Sequence, residues 1–239
     1  MSVLPPIEEK STYVEHMFAN IAPGYDRMNR LLTFGMDQTW REITVAAVAP
    51  PACGYALDVG CGTGDFLTEL AAWVPDGKAI GVDYTIPMMQ AGHPKITPLD
   101  NRADFVGGDA LQLPFPDETF DTITTGFVMR NVVDIQQAFA EMWRVARPRG
   151  MVACLEVARP NNALLRLGHR TYFERVVPIL AGLVGADRTA YTYLPQSARQ
   201  FPSPDILAHI MQEAGWQDVS YRLLGLGAVA LHTARKDTA

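Results

Sequence analysis

Apolar residues in this chain gather in short unbroken runs, each closed by glycine, proline or an acid, and between the runs they recur at three- and four-residue spacing. The first pattern predicts strands buried on both faces, the second helices laid against them. Strands are expected from Tyr55 to Val59, Lys78 to Asp83, a short run ending at Val106-Gly107, Phe120 to Phe127 and Gly150 to Val157. Asp134 is expected to cap a helix with Ile135, Ala138, Phe139, Met142 and Val145 on one face. Ile86 to Ala91 reads as a short helix followed by a loop rich in Pro, Gly and Asp. Ser203-Pro204-Asp205 supplies a capping hydroxyl, a proline at the first helical position and an acid, and Gly215 the stop. Trp216 to Leu224 and Gly227 to Ala234 then read as a closing hairpin, which gives an otherwise parallel sheet one antiparallel strand near the C-terminus. The expected class is α/β with helices on both faces of the sheet, in a single domain spanning 1–239. Within it, 1–54 forms a helical cap, 55–160 the core, 161–202 an insertion beside the cap, and 203–239 the final helix and hairpin.

The most specific local signal is the strand-turn-helix Asp58-Val59-Gly60-Cys61-Gly62-Thr63-Gly64-Asp65. Glycines at 60, 62 and 64 admit positive φ and bring a ligand against bare backbone. A dinucleotide fingerprint would need a glycine at position 65, where this chain has Asp65. Asp58 and Asp65 place negative charge on both sides of the turn, which disfavours pyrophosphate and suits a ligand carrying positive charge. S-adenosylmethionine has an ammonium and a sulfonium, and its small carboxylate can use the backbone donors. Asp83 ends the second strand about 20 residues beyond the turn, where a ribose diol lies in such folds. Asp109 and Ala110 follow the third strand and can address an adenine edge. Met88 and Met89 can pack on that adenine or fill core.

Charge and cysteine content narrow the setting. The net charge of −6 over 239 residues argues against a nucleic-acid partner held by a basic face. Cys53, Cys61 and Cys154 form neither a disulfide framework nor a metal spacing, so no metal is implied and a reducing cytoplasm is expected. The N-terminus lacks the basic and apolar regions of an export signal. Val176 to Ala186 is far shorter than the roughly 20 apolar residues that span a bilayer.

Beyond these local readings, the chain resembles the class I S-adenosylmethionine-dependent methyltransferases, and within them the quinone-biosynthesis family that methylates demethylmenaquinol or a polyprenyl benzoquinol. The resemblance rests on Met17-Phe18-Ala19-Asn20-Ile21-Ala22-Pro23-Gly24-Tyr25-Asp26-Arg27-Met28-Asn29, on Arg130-Asn131-Val132, on Arg144 to Gly150 running to Glu156, and on Tyr193-Leu194-Pro195-Gln196-Ser197 with Phe201-Pro202. It implies a Rossmann-like sheet with a helical N-terminal cap. It also implies cofactor contacts at Thr63, Asp83, Asp109, Ala110 and Gly126, a prenyl quinol substrate and C-methylation of its ring. The family often has S-x-G-x-H-R-x-W where this chain reads Thr33-Phe34-Gly35-Met36-Asp37-Gln38-Thr39-Trp40, and Lys-Pro-Gly-Gly where it reads Arg147-Pro148-Arg149-Gly150.

Methylating a quinol carbon requires ionisation of a hydroxyl and alignment of carbon, methyl and sulfur. Arg130 and Asn131 after the fourth strand, with Tyr25 closing from the cap, are the expected catalytic residues, and Arg130 would stabilise the developing oxyanion. Asp58, Gly60, Gly62, Thr63, Gly64, Asp83, Asp109, Ala110 and Gly126 are the expected cofactor set. His169 lies in an apolar segment, Leu164 to Gly185, suited to a greasy channel or a membrane surface. Peripheral membrane contact and a homodimer stay open, as do a different small aromatic substrate and a cofactor-binding subunit without turnover.

Overall fold

The computed structural model describes residues 5–160, 162, 167–168, 171–172 and 188–238. Seven strands are β1 (Tyr55–Val59), β2 (Lys78–Asp83), β3 (Ala103–Gly107), β4 (Phe120–Gly126), β5 (Ala146–Val157), β6 (Gln217–Leu224) and β7 (Val229–Arg235). They form one sheet in the order β3-β2-β1-β4-β5-β7-β6. Strands β1 to β5 run parallel, and β7 inserts antiparallel between β5 and β6. The chain reverses its direction of travel across the sheet between β3 and β4, so the C-terminal ends of β1 and β4 open a crevice at that switch point.

Eight helices are described: α1 (Lys10–Ile21), α2 (Tyr25–Thr33), α3 (Met36–Val48), α4 (Asp65–Trp73), α5 (Ile86–Ile96), α6 (Ile135–Val145), α7 (Arg188–Gln200) and α8 (Pro204–Glu213). One sheet face buries Phe139 and Met142 of α6 with Leu207 and Met211 of α8. Trp216 locks that layer, its indole N–H donating to Phe139 O at 3.0 Å. The other face buries Val45 of α3 with Phe66, Leu67 and Leu70 of α4. Helices α1 and α2 lie apart from both layers, around Met17, Met28 and Tyr193.

Asp134 caps α6 as expected, accepting from Gln137 N–H at 2.9 Å. Three local expectations change. Helix α5 runs on through Pro94 to Ile96 rather than stopping at Ala91. Gly92 allows this, because it lies directly on the glycine turn, where a Cβ would stand 2.3 Å from Thr63 O. Ser203 holds the N-cap position of α8 in extended backbone, but its hydroxyl makes no capping bond. Strand β5 begins at Ala146, and Arg149 takes φ +66°, the left-handed conformation that a glycine would adopt without strain.

Candidate active site

The glycine turn is held by backbone bonds and has no room for side chains. Gly60 and Cys61 N–H groups both donate to Val82 O, at 2.8 and 3.0 Å. Gly60 has φ +71°, and a Cβ there would lie 2.3 Å from Val128 Cγ2. Gly62 donates its N–H to Asp83 Oδ2 at 2.7 Å, and Thr85 N–H donates to the other carboxylate oxygen at 2.7 Å. The ribose candidate is thus fixed by two backbone donors, with further lone pairs free for a diol. Asp109 is set by an Asx turn, its Oδ1 accepting from Leu111 N–H at 2.9 Å. Gly60, Gly62, Asp83, Asp109, Ala110 and Gly126 line one cavity together with Met88, which places six of the nine expected cofactor residues around a single space. Met89 is buried away from that wall. At Gly126 a Cβ would lie 2.4 Å from the Phe66 ring, so the wall there is bare backbone by necessity. A glycine-walled cradle with a diol-oriented carboxylate fits S-adenosylmethionine.

Asp58, Thr63 and Gly64 stand behind this wall rather than on it. Gly64 caps α4 at φ +82°. Thr63 hydroxyl donates to Asp26 Oδ1 at 2.5 Å and accepts from Lys95 Nζ at 3.0 Å. Asp58 is buried and accepts from Thr124 hydroxyl at 2.9 Å. Burial pushes its carboxyl up to about 8, against the pull of that hydrogen bond. Burial also works against ionisation of Asp65, but Arg41 and Lys95 outweigh it and hold that carboxyl below its usual range. The two acids therefore do not flank the turn with bare negative charge: burial disfavours the ionised form of Asp58, and Asp65 is paired with Lys95 at 2.5 Å.

A second, mostly apolar cavity of about 420 Å³ lies beyond the end of β4, within the range of small-molecule sites. Arg130 lines it, 7% exposed, with its Nη1 2.6 Å from Glu156 Oε1 and its backbone N–H donating to Glu156 Oε2. Its guanidinium lies 5.7 Å from the centre of the Phe127 ring, and its buried Nε has no hydrogen-bond partner among the described residues. Asn131 donates to Phe127 O at 3.3 Å and accepts from Tyr193 hydroxyl at 3.2 Å. Tyr25 packs edge-on against Phe18, and burial raises its hydroxyl above the usual range. All three expected catalytic residues reach this chamber. Phe18, Tyr25, Phe127 and Asn131 line both cavities, so the two spaces meet at that ring of side chains.

Several residues with evident roles were not singled out in the sequence. Tyr193 sits in the Tyr-Leu-Pro-Gln-Ser segment, and burial pushes its hydroxyl up to about 12. Asp37 stands where the family pattern often has histidine. It is a buried carboxylate on the chamber wall, bonded to Arg41 Nη1 at 2.8 Å and to Thr33 hydroxyl at 2.7 Å. Lys95 joins cap to turn, 2.6 Å from Asp26 and 2.5 Å from Asp65. The Tyr-Asp pair at 25–26 was the available signal for this latch. His169 and most of Leu164 to Gly185 lie outside the described residues. Among the described residues, no group of three or more His, Cys, Asp or Glu side chains is placed to hold a metal ion.

Comparison with known proteins bears on this arrangement. The model of the ubiE/COQ5 methyltransferase family matches residues 7–236. A demethylmenaquinone methyltransferase of Roseiflexus castenholzii is 65% identical over 235 residues, 98% of both chains. One from Symbiobacterium thermophilum is 39% identical over 97% of this chain and 96% of its own. Among solved structures, an S-adenosylmethionine-dependent methyltransferase from Thermotoga maritima aligns with a TM-score of 0.66 at 21% identity, covering 93% of this chain and 99% of that one. At that identity the likeness speaks for the fold.

Proposed function

The chain belongs to the ubiE/COQ5 methyltransferase family, and on that premise we propose that it C-methylates demethylmenaquinol to menaquinol, the last step of menaquinone biosynthesis. It is an S-adenosylmethionine-dependent methyltransferase. The observation that carries the substrate reading is the junction of two unlike cavities. A glycine-walled space with an oriented carboxylate meets a larger apolar chamber at Phe18, Tyr25, Phe127 and Asn131. A quinol ring in that chamber lies against the junction with its prenyl tail among Met17, Ile21, Leu32 and Val229.

S-adenosylmethionine, when bound, supplies the electrophilic sulfonium methyl. The protein's own work is on the ring. Arg130 brings a guanidinium charge to the chamber wall, stabilising the negative charge that grows on the quinol oxygen as the hydroxyl loses its proton. Glu156 and Phe127 hold the guanidinium so that it need not reorganise. Asn131, fixed from both sides, and Tyr25 from the cap set the angle of the ring against the cofactor cavity and exclude water from the junction. Arginine remains protonated throughout, so the hydroxyl proton leaves to solvent; once the ring carbon has taken the methyl it sheds its own hydrogen as a proton, the ring regains aromaticity and the oxygen is reprotonated. A prenyl tail also brings the substrate from a membrane, and peripheral contact with one belongs to this reading; no described helix is long and apolar enough to cross it.

Mass spectrometry of products from S-adenosylmethionine with reduced demethylmenaquinone, a prenyl benzoquinol or a soluble phenol tests the proposal. A ring-methylated naphthoquinol is expected. Methylation of the benzoquinol or the phenol alone would reassign the head group, and cofactor binding with no methylated product would remove the catalytic reading.

A further inference from the structure

The mouth of the apolar chamber carries bulky apolar side chains in backbone conformations that such residues avoid. Phe34 is 75% exposed at φ +53°, and Leu226 is 79% exposed at φ +58°. Left-handed backbone costs a branched or aromatic residue about 1 kcal/mol or more, and among the described residues neither side chain recovers that cost by burial. Leu226 is also held in place deliberately. The glycines on both sides have positive φ and lie close against Trp40 and Pro160, where Cβ atoms would stand 2.7 and 3.1 Å away. The turn between β6 and β7 is thereby pinned at its two shoulders with leucine at its tip. Phe34 rests on Tyr172 at 5.9 Å between ring centres, and Tyr172 hydroxyl donates to Leu32 O.

Arg27, Arg30 and Leu31 lie at i, i+3 and i+4 on one exposed face of α2, and exposed Phe34 follows at the left-handed C-cap of the helix. Two arginines lead to two apolar residues, the arrangement in which long cationic side chains reach headgroups while the apolar ones enter the acyl boundary. Phe34, Tyr172 and Leu226 line the chamber itself, so this rim is continuous with the space assigned to the quinol.

We propose that the Phe34–Leu226 rim is the face by which the enzyme docks on an anionic bilayer, with Phe34 and Leu226 inserted and Arg27 and Arg30 on the headgroups, so that the chamber opens directly into lipid. The occupant is a lipid surface because the patch combines apolar tips with cationic side chains and encircles the mouth of an apolar chamber. The proposal rests on the prenyl quinol reading of that chamber. Docking of this kind lets a prenyl tail move from bilayer to chamber without crossing water.

Co-sedimentation with vesicles of phosphatidylglycerol and phosphatidylcholine, compared with phosphatidylcholine alone, tests it on the full chain. Phe34→Asn/Leu226→Asn preserves the backbone, since asparagine tolerates left-handed φ. Vesicle partitioning of this variant is expected to fall at least about tenfold, with cofactor affinity as the control for folding. Arg27→Gln/Arg30→Gln is expected to lose about fivefold per arginine, only on anionic vesicles and only at low salt. Equal partitioning of both variants and the wild type would overturn the proposal. So would a wild type that ignores vesicles, including one in which the patch instead joins two copies into a dimer that Phe34→Asn dissolves. Failure of the quinol reading looks different: no prenyl quinol is methylated in detergent, whatever the vesicles show.

Discussion

The cofactor side and the substrate side of this molecule recognise their ligands by different physics. On the cofactor side the part of the wall at the turn and at the end of β4 is backbone: glycines 60, 62 and 126 leave no side chain, and Asp83 is aimed by two N–H groups. On the substrate side the wall is side chains drawn from positions 17 to 229, and its polar groups are buried pairs such as Arg130 with Glu156 and Asp37 with Arg41. Backbone recognition tolerates little change of conformation but leaves few buried charges to balance. Side-chain recognition can change its ligand by substitution, yet each buried charge must keep its partner. Asp26, Lys95 and Thr63 join the two sides, so closure of the cap and the shape of the turn are tied through one set of polar contacts.

That contrast breaks most visibly at Arg130. Arg130→Met leaves Glu156, 1% exposed, as an unpaired buried charge, and a loss of roughly 3–5 kcal/mol in chemical unfolding is expected. Turnover should fall on the order of 100-fold as the donor to the oxyanion disappears. Arg130→Met/Glu156→Gln should recover most of the stability and none of the turnover. Recovery of both together would mean that the pair is structural only.

Asp83→Ala is the matching change on the cofactor side. It removes one carboxylate and leaves the Gly62 and Thr85 N–H groups without their acceptor, so cofactor affinity by calorimetry should weaken about 10- to 100-fold, with a loss of stability smaller than that of Arg130→Met. If Arg130→Met/Glu156→Gln loses cofactor equally, the division between the two sides fails.

The most gradual expected effect is on pH dependence and belongs to Asp58. Its folded carboxyl titrates at about 8, above its unfolded value of 3.8. The stability associated with its proton is complete below the unfolded value and is lost as pH rises through about 8, because only the folded form retains the proton in between. The ligand-free protein should therefore lose stability from pH 5 to 8 by about 1 kcal/mol per pH unit from this group. In Asp58→Asn that component should vanish from thermal unfolding measured over the same range. An unchanged slope would place the titrating group elsewhere.

Much of the cofactor side was legible because its requirements are local. Asp83 reaches the turn through a strand pairing that the apolar runs already announced, and Asp134 caps α6 with its own third neighbour. The Asp26 contact with Thr63 spans 37 positions, and nothing in either segment specifies the distance between them. Likewise the sequence shows Asp37 where the family often has histidine but assigns it no role. In the fold it is a charged wall of the chamber, because α3 turns that face inward and Arg41, one turn later, balances it.

The sequence by itself determined where the backbone must bend and stay bare and which strands are buried on both faces. Those follow from φ, Cβ and periodicity, which act over a few residues. Only the tertiary structure decided that Asp58 lies behind the wall where burial drives its carboxyl upward, that Arg130 and Glu156 pair beside an apolar chamber, and that Phe34 and Leu226, 192 positions apart, both line it. Burial, and with it charge state and ligand access, depends on which distant segments pack together, and no short-range pattern encodes that.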